Sequence, residues 1–191
     1  HYFAKKAFES VVIIPLEEKG NLNIFIVSDR LKTFPAELHL EIADFSGNQL
    51  WQQKSSITVK PNTSHHYFSE DIKTLIKGMD PATIYLRPVV TQNDEIIARN
   101  LFHFTAVKDL NLPQPGISYK LDEIKDGYRL QISAEKYAKN VYLTTKAVGF
   151  FSDNYFDILP GETIDINFTS NEKSTRFAET LKIITLVDSY K

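Results

Sequence analysis

The feature that most constrains this chain is an alternation of apolar and polar side chains with a period of two. Residues 37–42 read Glu-Leu-His-Leu-Glu-Ile, and residues 128–133 and 163–168 repeat the pattern. Successive side chains of an extended strand point to opposite faces, so such segments predict strands with one buried and one wet face. Seven further strands are predicted at Val11–Pro15, Leu22–Ser28, Gln49–Lys54, Thr83–Val90, Ile96–Phe104, Val141–Thr145 and Leu181–Val187.

Turn-forming residues separate these segments. Glu18–Asn21, Ser46–Asn48 and Lys125–Gly127 contain glycine where hairpin turns favour it, and Gln92–Glu95 is a polar tetrapeptide between apolar runs. A single short helix is predicted at Asp71–Lys77, immediately before a glycine. Strands every 8–15 residues with hairpin turns predict an all-β fold of antiparallel sandwiches, because a parallel sheet would need intervening helices.

A connector is predicted at Lys108–Gly116. It contains Pro113 and Pro115, which favour an extended and fairly stiff backbone, and alternation resumes after it. A length of 191 residues accommodates two small β domains. We therefore expect one domain at residues 1–110 and a second at about 116–191.

Composition excludes several functional classes. The chain has no cysteine, so disulfides, Cys-ligated zinc and iron–sulfur clusters are excluded, and no cofactor is predicted. The net charge of −2 is spread along the chain without a basic stripe, which argues against nucleic-acid partners. No apolar run approaches the roughly 18 residues of a membrane-spanning helix, so no membrane partner is expected.

Titratable residues give no convincing catalytic or metal site. A retaining glycosidase needs two carboxylates about 5 Å apart. Asp94-Glu95 is an acidic pair in a hairpin, where both side chains are expected to face solvent. His65-His66 are adjacent on an extended segment and therefore point to opposite faces, which prevents them from binding one ion together. His39 and His103 lie inside predicted strands and no carboxylate spacing supports a site there, so we predict neither catalytic nor metal-binding residues.

Aromatic side chains are the remaining functional signal. Trp51 lies on a segment that is predicted to be an edge strand, and Phe150, Phe151 and Tyr155 cluster around one loop. Exposed rings can stack on the apolar C–H face of a sugar, or they can contact a neighbouring domain. The alternative, which we favour, is packing inside the sandwiches, because aromatic rings bury large apolar areas.

Three stretches resemble the C-terminal region of exo-β-mannosidases of glycoside hydrolase family two. Residues 2–8 (Tyr-Phe-Ala-Lys-Lys-Ala-Phe) are similar to the exit from the catalytic barrel. Residues 99–104 and 108–113 are similar to the last strand and exit linker of an immunoglobulin-like domain. Residues 151–162 (Phe-Ser-Asp-Asn-Tyr-Phe-Asp-Ile-Leu-Pro-Gly-Glu) are similar to the signature of the final immunoglobulin-fold domain. The resemblance implies two tandem antiparallel immunoglobulin-like β-sandwiches.

The same resemblance implies the function and partners. The chain would be a non-catalytic accessory part of a β-mannosidase, whose catalytic barrel and N-terminal domains would be its partners, with a homodimer and an oligosaccharide as further candidates. Asn171-Glu172 is similar to a dipeptide of the family but lies in a polar loop, so no catalytic role is assigned to it. The start at His1 instead of Met is expected to be a boundary within a longer protein.

Two other functions stay open at this point. One is a carbohydrate-binding β-sandwich module, and the other is a stand-alone surface adhesin built of tandem sandwiches. The compartment also stays open between periplasm, cytoplasm and lysosome. A Cys-free chain rich in Lys, Asn and Ile favours a bacterial source and, among these compartments, the periplasm.

Overall fold

A computed structural model describes residues 9–170 and 176–190, with only the backbone given at Arg176 and Tyr190. The described part divides into two compact units. The first contains the described residues up to Asp44 together with Asn48–Asn111. The second contains Phe45–Gly47 and the described residues from Leu112 onward. Both units consist of antiparallel sheets, which confirms the all-β class with immunoglobulin-like sandwiches.

The first unit is built from two sheets. The strands are β1 Val11–Glu18, β2 Asn21–Ser28, β3 Phe34–Asp44, β4 Gln49–Val59, β5 Thr63–Asp71, β6 Ile84–Gln92, β7 Glu95–Arg99 and β8 Phe102–His103. The sheets have the strand orders β1-β2-β5 and β4-β3-β6-β7, with β8 pairing to β6. Neighbouring strands are antiparallel throughout. One helix, α1 (Ile72–Leu75), follows the fifth strand, and a 3-10 turn covers Val107–Asp109.

The alternating pattern determines which side chains form the core of this unit. On β3, Leu38, Leu40 and Ile42 are buried, whereas Glu37 and His39 on the opposite face are not. Both sheets contribute side chains to one apolar cluster, as the inner faces of a sandwich do. Further members of the cluster are Val11, Ile13, Leu22, Ile24, Ile26, Ile84, Leu86 and Val90.

The second unit is also built from two sheets. The strands are β9 Ile117–Ile124, β10 Gly127–Ala134, β11 Ala138–Thr144, β12 Phe150–Phe151, β13 Phe156–Ile158, β14 Thr163–Thr169 and β15 Lys182–Ile184. The sheets have the strand orders β12-β14-β10-β9 and β13-β11-β15. A short helix, α2 (Arg176–Thr180), and a 3-10 turn at Leu186–Tyr190 complete the unit. The core contains aromatic rings as well as aliphatic side chains, including Phe156, Phe168 and Phe177.

Hairpin turns form where the sequence predicts them. Lys19 and Gly20 both have positive φ between β1 and β2. Asn93 and Asp94 do so between β6 and β7. Two consecutive residues with positive φ make the type I′ turn that suits the twist of paired strands.

Several predicted elements differ from the structure in their bounds, among them two strands and the helix. The strand predicted at Ile96–Phe104 is interrupted, because Asn100 leaves the strand and its Nδ2 donates to the carbonyl of Ile13 at 2.8 Å. The strand predicted at Leu181–Val187 ends at Ile184, where the Asp188 carboxylate accepts bonds from the backbone N and hydroxyl of Thr185 and caps a 3-10 turn.

The third difference is the helix predicted at Asp71–Lys77. It is a single turn, Ile72–Leu75, whose cap is the Asp71 side chain accepting from the backbone N of Thr74. The resembling segment at residues 2–8 and the Asn171-Glu172 dipeptide lie outside the described residues. No helix within residues 9–170 and 176–190 is long and apolar enough to cross a membrane.

Candidate functional site

The aromatic residues selected from the sequence occupy different environments. Trp51 lies on β4, an edge strand of the first unit, and its half-buried ring packs against the core beside Phe68 at a centroid distance of 6.4 Å. Phe150 and Phe151 are the two residues of β12 in the second unit. Tyr155 follows in the loop before β13. The structure therefore describes Trp51 in one unit and the other three rings in the other.

Alternation along β12 separates its two phenylalanines. Phe151 points into the second core, where its ring lies 5.0 Å from Phe168 and 6.1 Å from Phe177. Phe150 points the other way and is 81% exposed. Phe151 is therefore a packing residue, partly buried against the second core. Phe150 is available for contact.

Tyr155 is exposed and rests on a second tyrosine. Its side chain is 47% exposed, and its ring stacks on that of Tyr142 with centroids 4.8 Å apart and planes inclined by 23°. Tyr142 lies on β11 between the buried residues Val141 and Leu143, so it points to the outer face of the sheet. Tyr142 is not among the aromatic residues selected from the sequence, although the predicted strand at Val141–Thr145 places it on the face opposite its two apolar neighbours.

The loop that presents Tyr155 is held by a buried amide. Asn154 is 7% exposed, its Oδ1 accepts from the backbone N of Leu143 at 2.8 Å, and its Nδ2 donates to the carbonyl of Leu143 at 2.9 Å. The Asp153 carboxylate accepts from the backbone N of Asn154 at 2.8 Å. Asp153 and Asn154 thus shape this loop by bonding nearby backbone.

A type II turn at Pro160-Gly161 follows β13. Gly161 has φ +77°, and the backbone N of Glu162 donates to the carbonyl of Leu159 at 3.0 Å. Positive φ at the third position is the requirement of a type II turn, which Pro160-Gly161 supplies. Strand β14 then begins at Thr163.

The outer face of the first unit's larger sheet carries a small charged ladder. His39 Nε2 lies 3.1 Å from Glu37 Oε2 and 3.3 Å from the hydroxyl of Thr91, and Lys54 Nζ lies 3.5 Å from the same Glu37 oxygen. The hydrogen bond with His39, and then the charge of Lys54, hold the pKa of Glu37 below its ordinary value of 4.5. All three side chains are solvent-accessible, so this is a surface ladder between strands rather than a cleft.

The adjacent histidines and the Asp94-Glu95 pair lie on different elements. His65 lies edge-on to Tyr67, whereas His66 contacts Phe25 and lies 3.1 Å from Asn23 Oδ1, so the two neighbours have different partners. Asp94 and Glu95 are exposed in the β6–β7 hairpin. Within the described ranges, no three His, Asp or Glu side chains are grouped so as to hold a metal ion.

Two antiparallel sandwiches, each filled by its own core, define the chain as a tandem immunoglobulin-like β-sandwich protein. Residues 20–109 match the family described as "Mannosidase Ig/CBM-like domain", and residues 112–189 match the family described as "Ig-fold domain". The chain therefore carries the two kinds of domain that these families describe, one after the other.

Similar proteins agree with this assignment. Beta-mannosidase A of Aspergillus flavus is 26% identical over 92% of this chain, and that of Neosartorya fischeri is 24% identical over 90%. The chain spans only about a fifth of these relatives, 21% and 20% of their lengths.

Solved structures support the fold. The β-D-mannosidase of Dictyoglomus thermophilum superposes with a TM-score of 0.76 at 22% identity, over 97% of this chain and 22% of that one. The exo-chitosanase CsxA of Amycolatopsis orientalis superposes with a TM-score of 0.62 at 13% identity, over 96% of this chain and 26% of that one. At these identities the likeness concerns the fold alone.

Proposed function

We propose that this chain is a non-catalytic accessory part of a β-mannosidase. The observation that carries the proposal is the match of both segments to mannosidase-type immunoglobulin-like domains, which together make up about a fifth of the relatives' length. The longer protein would hydrolyse terminal β-linked mannose with retention, using two glutamates outside this chain. Its catalytic barrel and N-terminal domains would be the partners of these sandwiches, and a homodimer is a further proposal.

An activity assay tests the non-catalytic role. The purified chain is incubated with p-nitrophenyl β-D-mannoside, and we expect no release of nitrophenol above the buffer blank. An active β-mannosidase serves as the positive control for the substrate. Hydrolysis that coelutes with the chain and survives repurification would contradict the proposal.

The coding sequence upstream of His1 tests the accessory role. We expect an open reading frame that continues upstream and encodes a catalytic barrel. A start codon immediately before His1 would instead favour the stand-alone adhesin. The result is independent of the activity assay, because an adhesin would also be inactive on the mannoside.

The domain boundaries are also proposals, at residues 1–110 and 116–191. Limited proteolysis tests them, since an extended connector is cut faster than paired strands. We expect the first cleavage within residues 108–116 and two protected fragments by mass spectrometry. Initial cleavage inside β3 or β10 would contradict these boundaries.

A second candidate function is carbohydrate binding, which is favoured by two exposed rings of the second unit, Phe150 and Tyr155. Calorimetric titration with manno-oligosaccharides tests it. Saturable heat with a millimolar or tighter dissociation constant would support a binding module, whereas an absence of heat would leave the accessory role. Trp51 and Phe151 pack on their cores, so we do not place the sugar on them.

A further inference from the structure

Tyr155 has a backbone conformation that its side chain disfavours. Its φ is +59°, in the left-handed region, where the Cβ of an L-residue is crowded. Among the described non-glycine residues with positive φ, Tyr155 is the aromatic one. The other non-glycine residues with positive φ are Lys19, Asn62, Asn93, Asp94 and Asn140. Asn and Asp accept such a conformation readily, so a tyrosine here costs free energy that other contacts must offset.

The contacts that hold Tyr155 in place come from its neighbour. The amide of Asn154 bonds both backbone groups of Leu143, and the same Oδ1 accepts from the backbone N of Tyr155 at 3.1 Å. Asn154 thus fixes the loop against β11 through buried bonds. Because Leu143 follows Tyr142 on that strand, this attachment sets Tyr155 beside the outward-pointing ring of Tyr142.

The resulting pair is a supported aromatic surface. One face of the Tyr155 ring lies on Tyr142, and the side chain remains 47% exposed. Neither ring is among the described side chains that pack on the second core. On the same outer face, Tyr142 pairs with Ile184 and Thr144 pairs with the exposed Lys182. The face that carries Tyr142 therefore also carries a hydroxyl and an ammonium group.

We propose that Tyr142 and Tyr155 form a platform that stacks against one pyranose ring of a neutral β-linked oligosaccharide. A pyranose presents an apolar C–H face that matches an exposed phenol ring, and stacking on a rigid ring requires little ordering upon binding. Thr144 and Lys182 supply hydrogen-bonding groups for the sugar hydroxyls. The proposal rests on the second candidate function and names its site, and it is independent of the accessory role.

Calorimetric titration of the whole chain with β-1,4-mannohexaose, and with cellohexaose for comparison, tests the platform. Ligand up to about 10 mM covers millimolar dissociation constants. We expect saturable binding to the wild-type chain. Tyr155→Gly removes the ring and relieves the backbone strain, so it should keep the thermal unfolding temperature and weaken binding by about tenfold or more. Tyr155→Phe keeps the stacking face and should bind within about threefold of wild type.

Phe150→Ala is the matched control, because it removes an exposed ring elsewhere in the same unit. It should leave binding unchanged. If the wild-type chain binds but Tyr155→Gly binds equally well, the platform is wrong while carbohydrate binding stands. If only Phe150→Ala abolishes binding, the site lies at β12 instead. If the wild-type chain binds neither oligosaccharide, both the platform and the second candidate function are overturned.

Discussion

Lys139 and Asp157 form an ion pair across β11 and β13 with Nζ and Oδ2 3.1 Å apart and side chains only 11% and 19% exposed. The same carboxylate accepts from the hydroxyl of Tyr137 at 2.8 Å and from the backbone N of Asn140 at 2.8 Å. The register between the two strands shifts between Ala138 and Val141. Asp157 therefore holds the irregular stretch of β11 with three separate bonds.

Replacing Asp157 should destabilise the second unit. Asp157→Ala leaves three donors without this acceptor, so we expect a loss of about 2–4 kcal/mol in the free energy of unfolding. Lys139→Met should cost less, because the carboxylate keeps two partners. Urea denaturation measures both. Asp165→Ala is the control, since its pair with Arg129 is half-exposed and should contribute about 0–1 kcal/mol. Equal losses for Asp157→Ala and Asp165→Ala would refute this role.

Asn154 provides a second test of local architecture. Asn154→Ala leaves the backbone N and O of Leu143 without their partners in a buried position, so unfolding should become easier by about 2–3 kcal/mol. The exposed Asn167, which lies on β14, is the control, and Asn167→Ala should stay within about 0.5 kcal/mol of wild type. If the free energies of unfolding of Asn154→Ala and Asn167→Ala differ by less than the experimental error, the loop is held without this amide.

Glu37 should make stability depend on pH. Its pKa is lowered in the folded state by the bond with His39 and by the charge of Lys54. A carboxylate with a depressed folded pKa stabilises the fold above its unfolded value of 4.5, and the contribution disappears as the pH falls through the lower folded pKa. Glu37→Gln should therefore be less stable than wild type at neutral pH, with the gap closing in acid. A gap that stays constant from neutral pH down through that range would contradict this linkage, and carboxyl NMR titration of Glu37 gives an independent check.

The strands that alternate regularly could be predicted from the sequence. On β3, β10 and β14 every second residue is buried, because one face of each strand lies on a core. The hairpin turns followed as well, since Gly20 and Asn93 take the positive φ that their turns require. These strands and turns depend only on residues that are close in sequence, so a local pattern is enough to predict them.

Other elements depend on contacts that are distant in sequence. Strand β5 contains Thr63-Ser64-His65-His66 and alternates weakly, and it is a strand because it pairs with β2. Helix α2 was not predicted, because its buried Phe177 lies in a polar stretch, and its ring stacks on Tyr128 and Phe168 from other strands. Of the stacked pair Tyr142 and Tyr155, only Tyr155 was selected from the sequence. The two rings are separated in sequence, so a local pattern does not show that they stack.

Replacing either of two glycines in the second unit should destabilise the fold, and the physical reason differs between the two positions. A Cβ on Gly149 would lie 2.4 Å from Phe168 Cζ and 2.5 Å from the backbone O of Thr169, whereas a Cβ on Gly161 meets open space but sits on a backbone with φ +77°. We expect Gly149→Ala to cost about 1–3 kcal/mol through overpacking. Gly161→Ala should cost about 1–2 kcal/mol through backbone strain.

Asparagine separates these two causes, because it accepts positive φ better than alanine but is larger. Gly161→Asn should therefore be more stable than Gly161→Ala, whereas Gly149→Asn should be less stable than Gly149→Ala. Thermal and urea unfolding of the four variants measure both differences. The same order at both positions would show that one cause, either crowding or backbone strain, governs both glycines. The opposite orders would establish that Gly149 is needed for close packing on β14 and Gly161 for the turn that leads into it.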